Sequence, residues 1–474
     1  VTKANVQAVI LAAGKGTRMK SARAKVLHPV LGVPLVEHVV RAVQALQPDP
    51  LVLVVGHQAD EVEAAFAGRG VAFTRQDPPL GTGHAVLAAR ERYAAHADRT
   101  LLVVNGDVPL LRSETLAALL ETHRRAGAAA TLLTAVLDEP AAYGRVVRDP
   151  QGAVRAVVEA RDATSEELAV REINAGIYAF DVPALVEALR ELRPQNAQGE
   201  LYLTDVIRLL RAAGRPVAAV VSADPREALG VNTVSELGEA ARLLRRRRNE
   251  TLMAAGASLE DPETIQVGLD VTVEADATIL PFTILEGKTA IAAGARIGPY
   301  ARLVDTAVGT GAQILDHCLL RECVVEAGAS VGPFAHIRPE SHIGPRAKVG
   351  NFVELKKTHL GEGSKAPHLS YIGDATVGPA VNIGAGTITC NYDGTAKHPT
   401  RIEAGAFIGS DTTLVAPITV GEGAYVGAGS AITEDVPAGA LALGRARQVI
   451  KEGWAAARKK AAADHAAPAH GRKL

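Results

Sequence analysis

The sequence predicts an α/β domain with a mostly parallel sheet, followed by an all-β coil of parallel strands. Three observations lead there. A chain of 474 residues is long enough for two to four domains at about 100–200 residues each. In the first half, short and wholly apolar strands alternate with helical spacing. In the second half, aliphatic residues recur every six positions.

In chain order, Gln7-Ala-Val-Ile-Leu-Ala-Ala13 reads as a buried strand. Leu35 to Leu46 has helical spacing through Val36, Val39, Val40 and Val43. Leu51 to Val55 and Leu101 to Val104 are again short apolar strands, and Ser113 to Arg125 reads as a helix with Ser113 as cap and Glu114 in its first turn. Continuous apolar strands between helices mean a sheet covered on both faces, which binds ligands at the carboxyl ends of its strands. Function is therefore expected in the loops after Ala13, Val55 and Val104. Val234 to Ala255 reads as a connecting helix carrying Arg245-Arg-Arg-Arg248. That run fits a nucleic-acid patch or the solvated face of a helix, and the neutral total charge favours the solvated face.

Val273, Ile279, Leu285, Ile291, Ile297 and Leu303 then fall six apart. After a five-residue step come Val308, Ile314 and Leu320; after another, Val325, Val331, Ile337, Ile343, Val349 and Leu355. Ile402, Ile408, Leu414, Val420, Val426 and Ile432 repeat the spacing. Neither a helix nor a flat strand has this period. A three-sided coil does, with one aliphatic residue per side, and stacked coils bury these residues in rows. At about 18 residues and 4.8 Å per coil, residues 265–440 make about ten coils. The frame weakens between Leu360 and Ile402, and Gly394 to Arg401 cannot fit it; a loop of this kind is more often functional than a plain connection. Domain boundaries follow at 1–232, 233–255 (linker helix), 256–445 and 446–474. The tail holds the single tryptophan, Trp454, and its last dozen residues are expected to be mobile.

Composition narrows the function. Lys plus Arg is 51 and Asp plus Glu 52, a net charge of −1, which argues against nucleic-acid or anionic-membrane partners. Aromatics at 3% disfavour base-stacking platforms. Cys318, Cys323 and Cys390 do not make a disulfide framework, and Cys318 and Cys323 lack further ligands for a structural zinc. Cys390 is expected to be a buried thiol rather than a nucleophile. No run approaches the length of a membrane span, and Val6 to Ala13 is too short for a secretory signal. A cytoplasmic protein is expected.

Leu11-Ala-Ala-Gly-Lys-Gly-Thr-Arg-Met19 follows the first strand. Gly14 and Gly16 alone fit a tight structural turn as well as a phosphate cradle. Lys15, Arg18 and Lys25 favour the cradle, since three nearby cations suit a polyphosphate. Asn105-Gly106-Asp107 ends a buried strand, where a carboxylate can hold a divalent cation, although a plain turn uses the same residues.

These segments, with Lys25-Val-Leu-His28, Gly81-Thr-Gly-His84, Tyr143-Gly-Arg145, Val158-Glu159, Glu172-Ile-Asn-Ala-Gly176 and Gly230-Val-Asn232, resemble the sugar-1-phosphate nucleotidyltransferases. With the hexapeptide half behind them, the chain from about Val6 to Trp454 resembles the bifunctional family that makes UDP-N-acetylglucosamine. The resemblance implies a Rossmann-like nucleotidyltransferase domain and a left-handed parallel β-helix of hexapeptide repeats. It implies that Leu11, Ala12, Ala13, Gly14, Gln76, Gly81 and Thr82 hold uracil and ribose, within a UTP site that also includes Asn105, Gly106 and Asp107. Asp107 and Asn232 would ligate Mg²⁺, Gly144, Glu159 and Asn174 would orient the sugar, and Arg18 and Lys25 would neutralise phosphate. Asn105 stands where better-known members carry tyrosine.

In the second half, His368 lies within Lys365-Ala-Pro-His-Leu-Ser-Tyr371. A lone histidine is usually bland, but Arg338, Lys356, Lys365, Tyr371 and Lys397 make a cationic surround suited to a sugar phosphate. The resemblance implies that His368 is the general base of an acetyl transfer, and Glu354 is the candidate for orienting it. Arg338, Lys356, Tyr371, Asn382 and Lys397 would bind glucosamine 1-phosphate, and Ala385, Asn391, Tyr392, Ser410, Ala428 and Arg445 acetyl-CoA. Pro367 stands where relatives have glycine. A homotrimer is also implied, with N-acetylglucosamine 1-phosphate and UTP as the other substrates. Two further readings are nucleotidyl transfer alone, with the coil as an assembly scaffold, and a nucleotide-sugar sensor without turnover.

Overall fold

The computed structural model describes residues 5–466. The chain divides into two compact units, Val1–Glu274 with Ile279–Thr289, and Ala275–Thr278 with Ala290–Leu474.

In the first unit, Val6–Leu11 lies at the centre of a sheet and pairs in parallel with Leu51–Val55 on one side and Thr100–Asn105 on the other. The order continues outward to Ala72–Arg75 at one edge and through Glu172–Asp181 and Ala130–Val136 to Val217–Val221 at the other. Glu172–Asp181 runs antiparallel to both neighbours, so the sheet is mostly but not wholly parallel. Every residue of Leu51–Val55 is buried, the expected state of a strand covered on both faces. The helix Leu35–Gln44 turns Val36, Val39, Val40 and Val43 onto one side of that sheet. The helix Ser113–Ala126 does not use Ser113 as its cap. Arg112 occupies that position without a side-chain bond, and the Ser113 hydroxyl instead donates to Glu114, because Ser113 is already the first helical residue.

The helix Val234–Ala254 opens with a reciprocal box: the Thr233 hydroxyl accepts the Glu236 N–H, and the Glu236 carboxylate accepts the Thr233 N–H. The same carboxylate accepts the Asn232 N–H at 2.6 Å, so the cap also holds a candidate site residue. The arginine run on this helix is not simply a solvated face. Arg245, Arg247 and Arg248 are half-buried; Arg247 donates to the Leu110 carbonyl and Arg248 to that of Val271, while only Arg246 lies fully outward. Long guanidinium arms thus fasten the helix to the carbonyls of neighbouring loops.

The second unit is a parallel β-helix. On one side the strands Arg296–Ile297, Gln313–Ile314, Ser330–Val331, Lys348–Asn351 and Lys365–His368 stack in order, and continue through Asn382–Ile383, Phe407–Ile408 and Tyr425–Val426. Their inward residues form one buried row: Ile297, Ile314, Val331, Val349, Ala366, Ile383, Ile408 and Val426. Each buried aliphatic contributes about 1.5–3 kcal/mol. The coil does not lapse after Leu360: Ala366, Ile372, Val377 and Ile383 all point inward. The frame only looked weak because alanine and threonine fill the inward positions 366 and 389, and the step from Ile372 to Val377 is five residues long.

One corner of the coil carries exposed rings. Tyr300, His317, Phe334 and Phe352 stack with centroids 4.8, 4.8 and 5.3 Å apart. All four have left-handed backbone, as does Leu369 one coil further on. That conformation costs about 1–2 kcal/mol per residue, and ring stacking at about 0.5–1.5 kcal/mol per pair offsets only part of it.

Burial pushes the Cys318 and Cys323 thiols up to about 11, which makes them inert at neutral pH. Cys390, expected to be buried, is half-exposed at a strand end. In the tail, Trp454–Ala466 is helical, and residues 467–474, where mobility was also expected, lie outside the described residues. Among the described residues, no helix is long and apolar enough to cross a membrane.

Candidate active sites

The segments after Val6–Leu11, Ala72–Arg75 and Thr100–Asn105 surround a cleft of about 570 Å³; the loop after Val55, also expected to contribute, does not line it, because the next strand, Ala72–Arg75, delivers Gln76 and Gly81 there instead. Leu11, Ala12, Ala13, Gly14, Lys15, Lys25, Gln76, Gly81, Thr82, Asn105 and Asp107 line it. Glycine is required at two places. A side-chain carbon on Gly16, whose φ is +58°, would stand 2.6 Å from Lys25 Cβ, and one on Gly106 would stand 2.9 Å from the Leu11 carbonyl. The Gln76 amide donates to the Gly81 carbonyl at 2.9 Å and lies 3.2 Å from His84 Nδ1, which sets its pairing edge. The Thr82 hydroxyl accepts the Leu203 N–H, tying the loop to the next segment.

The Lys25 ammonium lies 2.5 Å from Asp107 Oδ2 and donates to Asn232 Oδ1 at 3.1 Å. Residues 82 and 207 positions away from Lys25 thus meet at one nitrogen. The Val231 N–H donates to the Asp107 carbonyl at 2.8 Å, and the Gly230 N–H to the Tyr143 hydroxyl at 3.0 Å, which holds the two loops together. Arg18 is exposed on the short helix Thr17–Met19, and its charge acts on Tyr143.

Gly144, Glu159 and Asn174 form a second group in the same unit. The Asn174 N–H donates to the Gly144 carbonyl, its amide to the Tyr178 hydroxyl at 2.6 Å, and the Thr204 hydroxyl to Glu159 at 3.1 Å. A side-chain carbon on Gly144 would stand 3.4 Å from Glu159 Oε2, so its absence keeps the carboxylate approachable. Burial raises the Glu159 carboxyl above its ordinary range; the Thr204 hydrogen bond opposes this, and Asp162 and Asp205 add to it.

In the second unit, His368 ends a strand whose neighbour places Asn351 directly beside it. His368 Nδ1 and Asn351 Oδ1 are 2.7 Å apart. With the amide oxygen accepting, Nδ1 carries the proton and Nε2 faces outward as the basic nitrogen. Glu354 does not orient His368. Coil register aligns Glu354 with Tyr371, round the corner, and its carboxylate accepts from Arg338 at 2.9 Å. From His368 the same position on successive coils is Ala385, Ser410 and Ala428, a column of small residues. Arg445 closes its far end, donating to the Ala428 carbonyl at 2.7 Å. Asn382 is half-buried on the same side.

Round the corner lies the cationic group. Lys356 pairs with Asp374 at 3.0 Å, and Asp374 also accepts from the Asn391 amide, whose nitrogen is 3.4 Å from the Tyr371 hydroxyl. Lys397, brought in by the loop after Tyr392, is pushed below its usual range by Lys356 beside it. Asn391 and Tyr392 therefore sit with the cations rather than along the small-residue column. Lys365 is exposed at the start of the His368 strand.

Residues 8–193 match the model of the MobA-like NTP transferase domain, and residues 399–434 the hexapeptide repeat of succinyl-transferase. Over 470 residues the chain is 52% identical to the bifunctional protein GlmU of Anaeromyxobacter sp. (strain Fw109-5), covering 98% of this chain and 96% of that one. It is 49% identical to GlmU of Heliobacterium modesticaldum over 94% and 97% of the two chains, and 48% identical to that of Brevibacillus brevis over 95% and 97%. The chain belongs to the bifunctional GlmU family. The nucleotidyltransferase fold of the first unit and the left-handed hexapeptide β-helix of the second are the two halves of a GlmU chain.

Within this GlmU fold, Asn105 has a physical setting. A side-chain carbon on Gly176 would collide with the Asn105 amide at 2.1 Å, so the amide fills space that glycine leaves open. Sequence reasoning missed Asn351, Asp374, Tyr178 and Thr204. Asp374 occupies the corner position aligned with Lys357, both with left-handed backbone, a relation that only the coil register reveals.

Proposed function

We propose that the chain acetylates glucosamine 1-phosphate with acetyl-CoA in its second unit, then transfers UMP from UTP to N-acetylglucosamine 1-phosphate in its first, releasing pyrophosphate. The observation that carries this reading is one polypeptide holding both a Lys25–Asp107–Asn232 cleft and an imidazole at the foot of a small-residue column.

At the coil, His368 Nε2 takes a proton from the 2-amino group as its nitrogen attacks the thioester carbon. The tetrahedral intermediate then expels the CoA thiolate. Arg338, Lys356 and Lys397 hold the sugar phosphate, and Ala385, Ser410 and Ala428 leave a shallow floor for the pantetheine arm. In the cleft, an already ionised phosphate oxygen attacks the α-phosphorus of UTP in line, so no strong base is needed. Lys25 and Arg18 neutralise the charge that builds on the leaving pyrophosphate. Leu11 to Gly14, Gln76, Gly81 and Thr82 orient uracil and ribose.

Asp107 and Asn232 direct two hard oxygens at one cation-sized point, the position of the Lys25 ammonium, and that donor set suits Mg²⁺. Two protein oxygens leave the rest of such an ion's shell to water and substrate phosphate. Once bound, Mg²⁺ supplies charge neutralisation at the phosphates.

A homotrimer is the assembly we propose. The exposed ring ladder ends at Leu369, between His368 and Tyr371, so a neighbour packed on that corner would complete the acetyl site. UTP and acetyl-CoA are cytoplasmic metabolites, which supports that location.

The test is to supply glucosamine 1-phosphate, acetyl-CoA, UTP and Mg²⁺ together and identify products by mass. UDP-N-acetylglucosamine, CoA and pyrophosphate are expected, with no UDP-sugar when acetyl-CoA is withheld. Failure to acetylate would leave only nucleotidyl transfer. Asn351→Ala is expected to lower acetyl-transfer kcat about 10-fold, by freeing the ring to turn, with little change in KM. Because the Glu159 carboxyl is raised, its acceptor form is lost on acidification at a higher pH than for an ordinary carboxylate. The KM for N-acetylglucosamine 1-phosphate should rise on that limb, and Glu159→Gln should flatten it relative to wild type.

A further inference from the structure

The arginines on the linker helix frame a second, smaller cavity in the first unit. It measures about 230 Å³ and is lined by Arg112, Arg226, Arg246, Arg247 and Glu250, with Leu110 and Leu243 completing the wall. Four guanidinium groups border it. Asp224 pairs with Arg226 at 2.7 Å, Glu227 with Arg112 at 3.4 Å and Glu250 with Arg246 at 3.0 Å. Three carboxylates against four arginines leave one positive charge, and the pairing assigns it to Arg247. The Arg247 guanidinium donates to a neutral carbonyl, that of Leu110, at 2.8 Å. Burial, then the neighbouring Arg112, hold its pKa below the usual arginine range, with Glu227 and Asp224 partly opposing them.

We propose that this cavity is an anion site for inorganic phosphate or a small phosphomonoester. Guanidinium forks match the tetrahedral oxyanion geometry better than they match a lone carboxylate, and the volume excludes a nucleotide. The Arg246–Glu250 pair is exposed on both sides, where an ion pair contributes about 0–1 kcal/mol, so turning Arg246 toward a dianion costs little; Arg226 keeps its Nε and Nη2 on the mostly buried Asp224 and offers Nη1.

The location gives the site a consequence. Leu110 and Arg112 follow Asp107 directly, and Arg226 and Glu227 directly precede Gly230 to Asn232. The Arg112 N–H donates to Glu227 at 3.1 Å, joining the two segments behind the cleft as the Val231 N–H joins them at its floor. An anion drawing Arg112, Arg226 and Arg247 together braces the loops that carry Asp107 and Asn232. Occupancy therefore lowers the Mg²⁺ concentration needed for uridylyl transfer; this coupling rests on the function proposed above, whereas the binding does not.

The experiment is calorimetric titration of inorganic phosphate into the full-length protein, with UDP-N-acetylglucosamine and CoA present in saturating amounts and the sugar-phosphate subsite of the coil removed in every sample by Arg338→Gln and Lys356→Met. One saturable site per chain is expected. Arg247→Gln and Arg226→Gln should each weaken it at least about 10-fold, and Arg247→Lys, which keeps the charge without the fork, should fall between. Unchanged circular dichroism and melting temperature show that the variants are folded; should Arg247→Gln unfold, Arg226→Gln at the rim decides alone. Absence of a saturable site, or equal phosphate affinity with and without Arg226→Gln, overturns the proposal. Phosphate binding with an unmoved Mg²⁺ requirement overturns the coupling.

Discussion

Replacing His368 by alanine is expected to lower acetyl transfer to glucosamine 1-phosphate about 10²–10⁴-fold, the usual contribution of a positioned general base, and to leave uridylyl transfer at wild-type rate. The side chain is exposed at the end of its strand and supports no buried row, so its loss should not unfold the coil. The inward position of that strand belongs to Ala366, and the corner is held by the Ser370 hydroxyl, which donates to the backbone carbonyl of residue 368 at 2.8 Å. Backbone carbonyls survive the substitution. Coupled assays with each half-reaction supplied separately make the check. Equal acetylation by wild type and variant would remove His368 from the mechanism, whatever the uridylyl rate.

The second large effect is expected at Asp107. Asp107→Ala should reduce pyrophosphate release from UTP, Mg²⁺ and N-acetylglucosamine 1-phosphate by about 10²–10³-fold, the scale of losing one preorganised electrostatic group, while acetylation is untouched. Two losses combine. The anionic ligand disappears, and Lys25 is left beside Asn232 alone, free to settle against phosphate in an unproductive place. Asp107→Asn separates them, because it keeps an oxygen for Lys25 but removes the charge. A companion measurement follows from the same geometry. The ammonium of Lys25 sits on the two oxygens proposed for the metal, so Lys25→Met should bind Mn²⁺ more tightly than wild type without nucleotide, as read by electron paramagnetic resonance, yet turn over slowly for want of phosphate neutralisation. Retention of full uridylyl activity by Asp107→Ala would remove the residue from the site.

Much of this molecule was legible because its regularities are local. The six-residue spacing of Ile297, Leu303 and their successors states the coil outright, since only residues on a flat side of a three-sided turn keep that interval. The apolar runs at Leu51 and Leu101 likewise announce a covered sheet; the loop behind the second lines the cleft, while the one behind the first does not, its place being taken by the segment from Gln76 to Thr82. What escaped depends on relations between coils. His368 meets Asn351 because that coil spends 17 residues, whereas an 18-residue coil would have brought Gly350 there; Glu354, only 14 residues back, faces Tyr371 round the corner. Lys25 and Asn232 meet only after the whole α/β domain closes. Ser113 misled because a cap and a first helical residue share the same composition. The arginine run misled because burial of long side chains by distant loops leaves no mark on the run itself.

The corner residues with left-handed backbone, from Phe334 through Phe352 and Leu369 to Gly386, follow one another at 17 or 18 positions, but the next, Asp411, comes 25 positions later. The surplus is the excursion around Gly394 to Arg401, which leaves and re-enters between neighbouring coils: Cys390 still pairs with Val415, and Thr400 with Ile418. Evolution and the protein engineer thus have a socket here. The hairpin bearing Lys397 can be lengthened, trimmed or exchanged to retune which phosphorylated amine is accepted, while the load-carrying prism keeps its stacking undisturbed.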